Sequence, residues 1–205
     1  MERLTRAERR RRTRDELLDA AELVFARLGF HGASLDAIAT EAGFTKGAVY
    51  SNFPGKDALF LALLERRRAE LERRLAAPEA GVVDVLAGET GGRPGIEDAW
   101  GVLTLEFFLY AVREPAARQA FAELYAMTRR ALAAGLDRVP ASARPIPLTA
   151  TELATVALAL STGIGVQAAL DAAAVPPDLY PRVVAGLAGM GTAGRSGRED
   201  GEAAG

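Results

Sequence analysis

The chain contains no cysteine and a single histidine, His31. Disulfides and thiol chemistry are therefore excluded, and so is a zinc site built from Cys and His ligands. Strand signals are also scarce: Val, Ile and Leu fall at helical rather than alternating spacing, so an all-α chain is expected. No uninterrupted apolar run of 18 residues occurs. The most apolar stretch, ELATVALALSTGIGVQAALD, is broken by Ser161, Thr162, Gly163, Gly165 and Gln167, and reads as a buried helix rather than a membrane span. The basic N-terminus is followed by no apolar signal core. These absences lead to the expectation of a soluble, cytoplasmic protein with no membrane partner. Enzyme signals are missing too. His31 stands beside Gly32 in an interhelical turn, no nucleophile motif or metal-ligand spacing is present, and Gly163-x-Gly165 has no strand before it. Neither catalysis nor a metal or cofactor is expected.

What is present is an apolar fraction of 49% in 205 residues, enough for one large domain or two small ones. Net charge is -2, but it is unevenly spread. Residues 1–14 hold seven arginines against two glutamates. Residues 76–205 hold 10 basic and 15 acidic groups. A segregated positive end is the asymmetry expected of a chain that faces nucleic acid.

Residues 1–12 read as a basic flexible arm. A helix then starts near Thr13, where Thr13-Arg14-Asp15-Glu16 has the form of a capping box, although Thr5-Arg6-Ala7-Glu8 has the same form. Leu17, Leu18, Ala21, Val24, Phe25 and Leu28 follow at helical spacing, and Gly29 is expected to end the helix. Ser34 can cap a second helix that stops at Ala42-Gly43, and Thr45 a third. After Pro54-Gly55 a long fourth helix is expected over 56–76. Residues 77–95 hold five glycines and two prolines and read as a loop, with one helical turn at Val82–Leu86. Further helices are expected at about 96–113, 115–135, 149–172 and 176–190, followed by a disordered tail over 191–205. The resulting division is an arm (1–12), a helix-turn-helix domain (13–55), and a helical regulatory and dimerisation domain (56–190) entered through the connecting helix 56–76.

The third helix, TKGAVYSN, has little apolar surface and a glycine inside it. If Val49 and Phe53 point inward, Gly47 and Ser51 point almost opposite, with Ala48 and Tyr50 on the flanks. A mid-helix glycine costs about 1 kcal/mol relative to alanine. It is explained if a second surface approaches the backbone there. A helix of this width fits the major groove of B-DNA with its N-terminal residues at the base edges. Thr45 and Tyr50 would then meet phosphates, Lys56 adds a cation at another helix N-terminus, and Ser34, Lys46, Gly47, Ala48 and Ser51 complete the candidate DNA-binding residues. The competing reading is a packed αα-corner, with Gly47 for close packing and Tyr50 half-buried.

Residues 13–60 resemble the DNA-binding domain of the tetracycline-repressor (TetR) family. The resemblance rests on Ala20, Ala21 and Phe25, then Gly29-Phe30, Ile38-Ala39, Ala42-Gly43, Gly47, Tyr50, Phe53 and Lys56. Gly55 departs from the more usual Ser or Asn before the lysine. The resemblance implies a homodimeric regulator, usually a repressor, that binds double-stranded operator DNA and is released by a small molecule of unknown identity. Pocket candidates on the middle helices are Trp100, Leu103, Glu106, Phe107, Tyr110, Phe121, Tyr125, Met127 and Gln167, with Glu106 expected rather to pair with Arg113 or Arg129. The last two helices imply a dimer seam through Ala157, Leu160, Ile164, Ala168, Val183 and Leu187. The rival from another class is a helical ligand-binding or membrane-surface protein that uses its arginine block without binding DNA.

Overall fold

A computed structural model describes residues 5–77, 81, 82, 85 and 97–190. The expected disordered tail, most of the expected 77–95 loop and the first four residues of the arm lie outside the described residues. Within them the protein has eight α-helices and no strand. These are α1 (Arg6–Gly32), α2 (Leu35–Ala42), α3 (Lys46–Asn52), α4 (Lys56–Ala76), α5 (Glu97–Arg113), α6 (Pro115–Leu136), α7 (Ala150–Leu170) and α8 (Leu179–Ala188).

Three boundaries differ from the sequence expectation. Helix α1 begins at Arg6 rather than near Thr13, so most of the expected flexible arm is helical. Thr5 caps it reciprocally: its hydroxyl accepts from Glu8 N at 3.2 Å, and the Glu8 carboxylate accepts from Thr5 N at 2.7 Å. Arg12 and Glu16, one turn apart, pair at 2.8 Å and support the same segment. Gly29 does not end α1 outright. It takes φ +71° and kinks the chain, and one further turn follows before Ala33. Helix α8 begins at Leu179, not 176, because Pro176-Pro177 removes two N–H donors and disfavours helix in the residue before each proline.

Two buried clusters organise these helices. The first holds Leu17, Ala21, Val24 and Phe25 of α1, Ile38 of α2, Val49 of α3, and Leu59, Phe60 and Leu63 of α4. It continues without a break into Trp100, Leu103, Phe107 and Ala111 of α5 and Phe121 of α6. The second joins Leu71 and Leu75 at the end of α4 to Leu132 and Leu136 of α6, Leu153, Ala154 and Ala157 of α7, and Tyr180 and Val184 of α8, with Val82 and Val85. Helix α4 thus belongs to both clusters. The N-terminal helices share their core with α5, so that core continues past the division expected at residue 55. Where α5 crosses α7 the helices meet backbone to backbone: a Cβ at Gly101 would lie 2.7 Å from the Cα of Gly165.

Candidate nucleic-acid interface and cavity

Helix α3 presents one uncovered face. Val49 is fully buried and the capping residue Phe53 nearly so, which turns Thr45, Lys46, Gly47, Tyr50 and Ser51 outward; all five are exposed, Tyr50 by 58%. Ala48 lies on the flank, half-buried. A Cβ at Gly47 would meet only the Thr45 hydroxyl, at 3.9 Å. The glycine therefore serves no internal packing, and the packed-corner reading loses both its supports. Thr45 and Ser34 cap α3 and α2, accepting from Ala48 N at 3.3 Å and Ala37 N at 3.1 Å. Lys46 pairs with Asp36 of α2, which raises its pKa through the hydrogen bond and the adjacent charge. The exposed head of that lysine stays on the same face.

Helix α1 extends this face. The Arg10 guanidinium donates to the Ser51 carbonyl at 3.4 Å, and Arg14 lies over the Phe53 ring at 4.8 Å. The arginine block is thus a rigid ridge beside the end of α3 rather than a loose arm. The sequence offers the same capping pattern at Thr5 and at Thr13, and the helix uses the earlier one.

Lys56 is a correction. Its ammonium donates to the carbonyls of His31 at 3.1 Å and Ala33 at 3.0 Å and sits 4.8 Å from the Phe30 ring centroid. Burial lowers its pKa, partly countered by the charge of Glu106. It ties the α1–α2 turn to α4 and does not face outward. Glu106 corrects the sequence reading as well. It pairs with neither Arg113 nor Arg129 but accepts from Phe30 N at 2.5 Å, occupying the space where a Cβ at Gly29 would stand, 2.9 Å from both carboxylate oxygens.

A cavity of about 510 Å³ lies where the two clusters meet. Leu64, Arg67, Arg68 and Leu71 of α4 form one wall, and Trp100, Gly101 and Thr104 of α5 another. Phe121, Leu124, Tyr125, Thr128 and Leu132 of α6 and Leu158, Ser161, Thr162, Ile164, Gly165 and Ala168 of α7 continue it, with Ala172, Val175, Pro176, Pro177 and Tyr180 at its remaining edge. Of the pocket candidates, Trp100, Phe121 and Tyr125 line it. Leu103 and Phe107 do not: they are buried in the first cluster. Tyr110 packs on Phe30 and Phe107, Glu106 holds the α1 kink, and Gln167 is exposed on the outside of α7. Met127 is exposed as well. The arginines and hydroxyls of the wall were missed because α4 reads as a connecting helix and Ser161 and Thr162 read only as interruptions. Leu160, Ile164 and Ala168 also correct the expected dimer seam. Ala157 is buried in the second cluster, Leu160 and Ile164 pack against it, and Ile164 and Ala168 line the cavity. The outward face of α7 carries Thr155, Ala159, Gly163, Gln167 and Leu170 instead. Helix α7 is apolar all round, so periodicity could not choose between its faces. Val183 and Leu187 of α8 remain half-exposed.

Residues 17–63 match the profile described as bacterial regulatory proteins, tetR family, and residues 80–188 match that of the C-terminal part of BetI-type transcriptional repressors. The chain belongs to the TetR family. As a TetR-family protein it is a DNA-binding helix-turn-helix transcriptional regulator of all-α architecture, and not an enzyme. Among curated relatives, TtgW of Pseudomonas putida, described as an uncharacterized HTH-type transcriptional regulator, is 36% identical over 124 residues, 60% of this chain and 79% of that one. The TetR fold is shared with Salmonella enterica GusR (TM-score 0.66, 21% identity, 91% of this chain and 98% of that one). It is shared also with a Saccharomonospora viridis regulator in complex with choline (TM-score 0.65, 22% identity, 85% and 94%) and with Bacillus subtilis FadR in complex with stearoyl-CoA (TM-score 0.63, 18% identity, 85% and 98%).

Proposed function

We propose that this TetR-family regulator is a homodimeric repressor whose α3 helices read a pseudo-palindromic operator and which a small molecule in the α4–α7 cavity releases. The observation that carries the reading is the uncovered α3 face, where Gly47 opens the backbone and Thr45, Lys46, Tyr50 and Ser51 surround it. In this reading Gly47 and Ala48 let α3 settle into the major groove, Lys46 and Ser51 reach base edges, and Thr45, Ser34 and Tyr50 meet phosphates. The DNA-binding head then spans α1–α3 and the regulatory part begins with α4.

The second copy is argued from α7. By length and composition this helix is apolar enough to cross a membrane, with a mean hydropathy of 1.7, yet little of it is buried within the protomer. Its outward face carries the small Ala159 and Gly163 beside the exposed Leu170, and a Cβ at Gly163 or, on α8, at Gly186 would meet nothing within 4 Å. A matching face from a second copy would cover Ala159, Gly163 and Leu170 together with Val183 and Leu187, placing two α3 helices on successive half-sites about 34–36 Å apart. An effector that binds the released and DNA-bound states unequally, by a coupling of about 1–3 kcal/mol, would lower operator affinity about 5–150-fold.

The test is binding to the protein's own upstream promoter DNA against scrambled DNA, with Tyr50→Ala and Ala159→Arg alongside. Tyr50→Ala is expected to lose operator affinity roughly tenfold, by removing one hydrogen bond to a charged group, with an unchanged melting temperature. Ala159→Arg is expected to elute as a monomer and to lose selective binding. Equal, salt-sensitive binding to both DNAs by all three proteins would sink the reading.

A further inference from the structure

The cavity's chemistry narrows its ligand. Among the described residues that line it, the charged groups are Arg67 and Arg68. Arg67 pairs with Glu22 of α1 at 3.6 Å and is already engaged. Arg68 is nine-tenths buried; among the described residues its ion-pair partner is Glu72, which is itself nearly half exposed and lies outside the cavity lining. Two wall residues carry buried N–H groups without a hydrogen bond among the described residues, Arg68 Nε and Trp100 Nε1. Buried donors in native proteins are nearly always satisfied, so two on one wall call for an explanation. The hydroxyls of Ser161, Thr162 and Thr128 donate within their own helices, to the carbonyls of Leu158, Leu158 and Leu124, and neither buried N–H reaches any of them. Most of the rest of the wall is apolar, from Leu64, Leu71, Phe121, Leu124, Leu132 and Ile164, with Thr104, Tyr125 and Tyr180 adding hydroxyls.

A quaternary ammonium or other cation fits this wall badly. Cations are held by open aromatic faces and by carboxylates. Here the Trp100 face is already covered by the Arg67 guanidinium, 4.3 Å from its centroid, and the groups left without a partner on the wall are donors, not acceptors. We infer that the cavity takes an amphipathic organic anion: a carboxylate seated against Arg68 and the Trp100 edge, with an apolar body lying between α6 and α7. A planar guanidinium gives a carboxylate two charge-assisted hydrogen bonds in a water-poor site, which neither an alcohol nor an ammonium can draw. The cavity volume lies in the range of small-molecule sites. This inference rests on the reading of the cavity as the effector site, which it deepens by assigning the ligand's class.

Trp100 is the only tryptophan in the chain and sits on the wall, so its fluorescence reports occupancy directly. The experiment titrates the full-length protein with three probes of equal tail length, octanoate, 1-octanol and octyltrimethylammonium, and follows operator binding in parallel. Octanoate is expected to bind about tenfold or more tightly than either other probe. Arg68→Gln and, separately, Arg68→Met are expected to remove that preference while leaving octanol within about twofold; circular dichroism confirms that each variant is folded, and one folded variant suffices. Octanol or octyltrimethylammonium binding as tightly as octanoate overturns the ligand class and leaves the cavity standing as an effector site. No response of Trp100 to any probe also overturns the class. Octanoate that binds through Arg68 but leaves operator affinity unchanged supports the class and sinks the effector reading instead.

Discussion

At the scale of single residues, the decisive fact about the reading face is what lies beside Gly47, which is open space. That face was legible in the sequence because Val49 and Phe53 fix the inward direction of a short helix and the rest follows by angle. The roles of Lys56 and Glu106 were not legible. A lysine at a helix start and an acid on an apolar helix have many partners available, and here each partner is a backbone atom of the α1–α2 turn, which leaves no trace in side-chain patterning. Glu106 lies 76 residues from the amide it accepts from. Replacing it by alanine removes the acceptor of a part-buried N–H, at a cost of about 1–3 kcal/mol. A Glu106→Ala protein should therefore melt several degrees lower, and Glu106→Gln, which keeps an acceptor oxygen, should recover part of the loss. Equal melting temperatures for all three in differential scanning calorimetry would show that the contact carries no stability.

At the scale of elements, helix number and order followed from apolar periodicity, whereas ends and faces did not. The ends of α1 and α8 were set by a cap and by a proline pair that periodicity does not register. The faces of α7 were beyond it because apolar residues surround that helix. The caps of α1 and α7 share a device: Glu8 and Glu152 each accept from the amide and hydroxyl region of a capping threonine, Thr5 and Thr149, and both carboxyls are held below their usual pKa by the backbone hydrogen bond first and the hydroxyl second. The sign follows from the lowering. The two caps are fully formed above the unfolded value of about 4.5 and are lost as pH falls below it through the lowered folded values. Amide exchange at the first turns of α1 and α7 should accelerate in that window, while the first turn of α3, whose cap is a threonine with no carboxylate, should show no such step. The α5–α7 crossing makes a further prediction. Gly101→Ala sets a methyl 2.7 Å from the Cα and 2.8 Å from the carbonyl carbon of Gly165, backbone atoms that cannot swing aside. A loss of about 1–3 kcal/mol in urea unfolding is expected, as for other overpacked sites. An unchanged midpoint would mean that the two helices separate freely.

At the scale of the whole molecule, charge and core run in different patterns. The arginines gather on the first turns of α1, beside the α3 face, while the apolar core continues from that head into the walls of the cavity. Phe25 and Phe30 both meet Phe60, and the ring contacts continue through Phe107 and Phe121 to Tyr125, with centroids 4.7–5.3 Å apart, from α1 to the cavity wall. A ligand that moves α5 or α6 therefore displaces side chains in direct contact with the reading head. The arginine ridge makes its own prediction. If Arg10 and Arg11 each neutralise a phosphate, the double Gln variant should bind the operator more weakly, and its dependence of log affinity on log salt should be shallower by about 0.9 per lost contact. The same slope in wild type and variant would remove α1 from the interface.

The seat of Glu106 on Gly29 also constrains how this sequence can drift. Position 29 holds φ +71°, which favours glycine whatever stands opposite, whereas the carboxylate at position 106 fits only while no side chain projects from position 29. The dependence is one-way. Homologues should be found that keep the glycine without the acid, but a lineage that replaces the glycine must release the acid first, and an acid at 106 facing a bulky residue at 29 should be missing from any alignment.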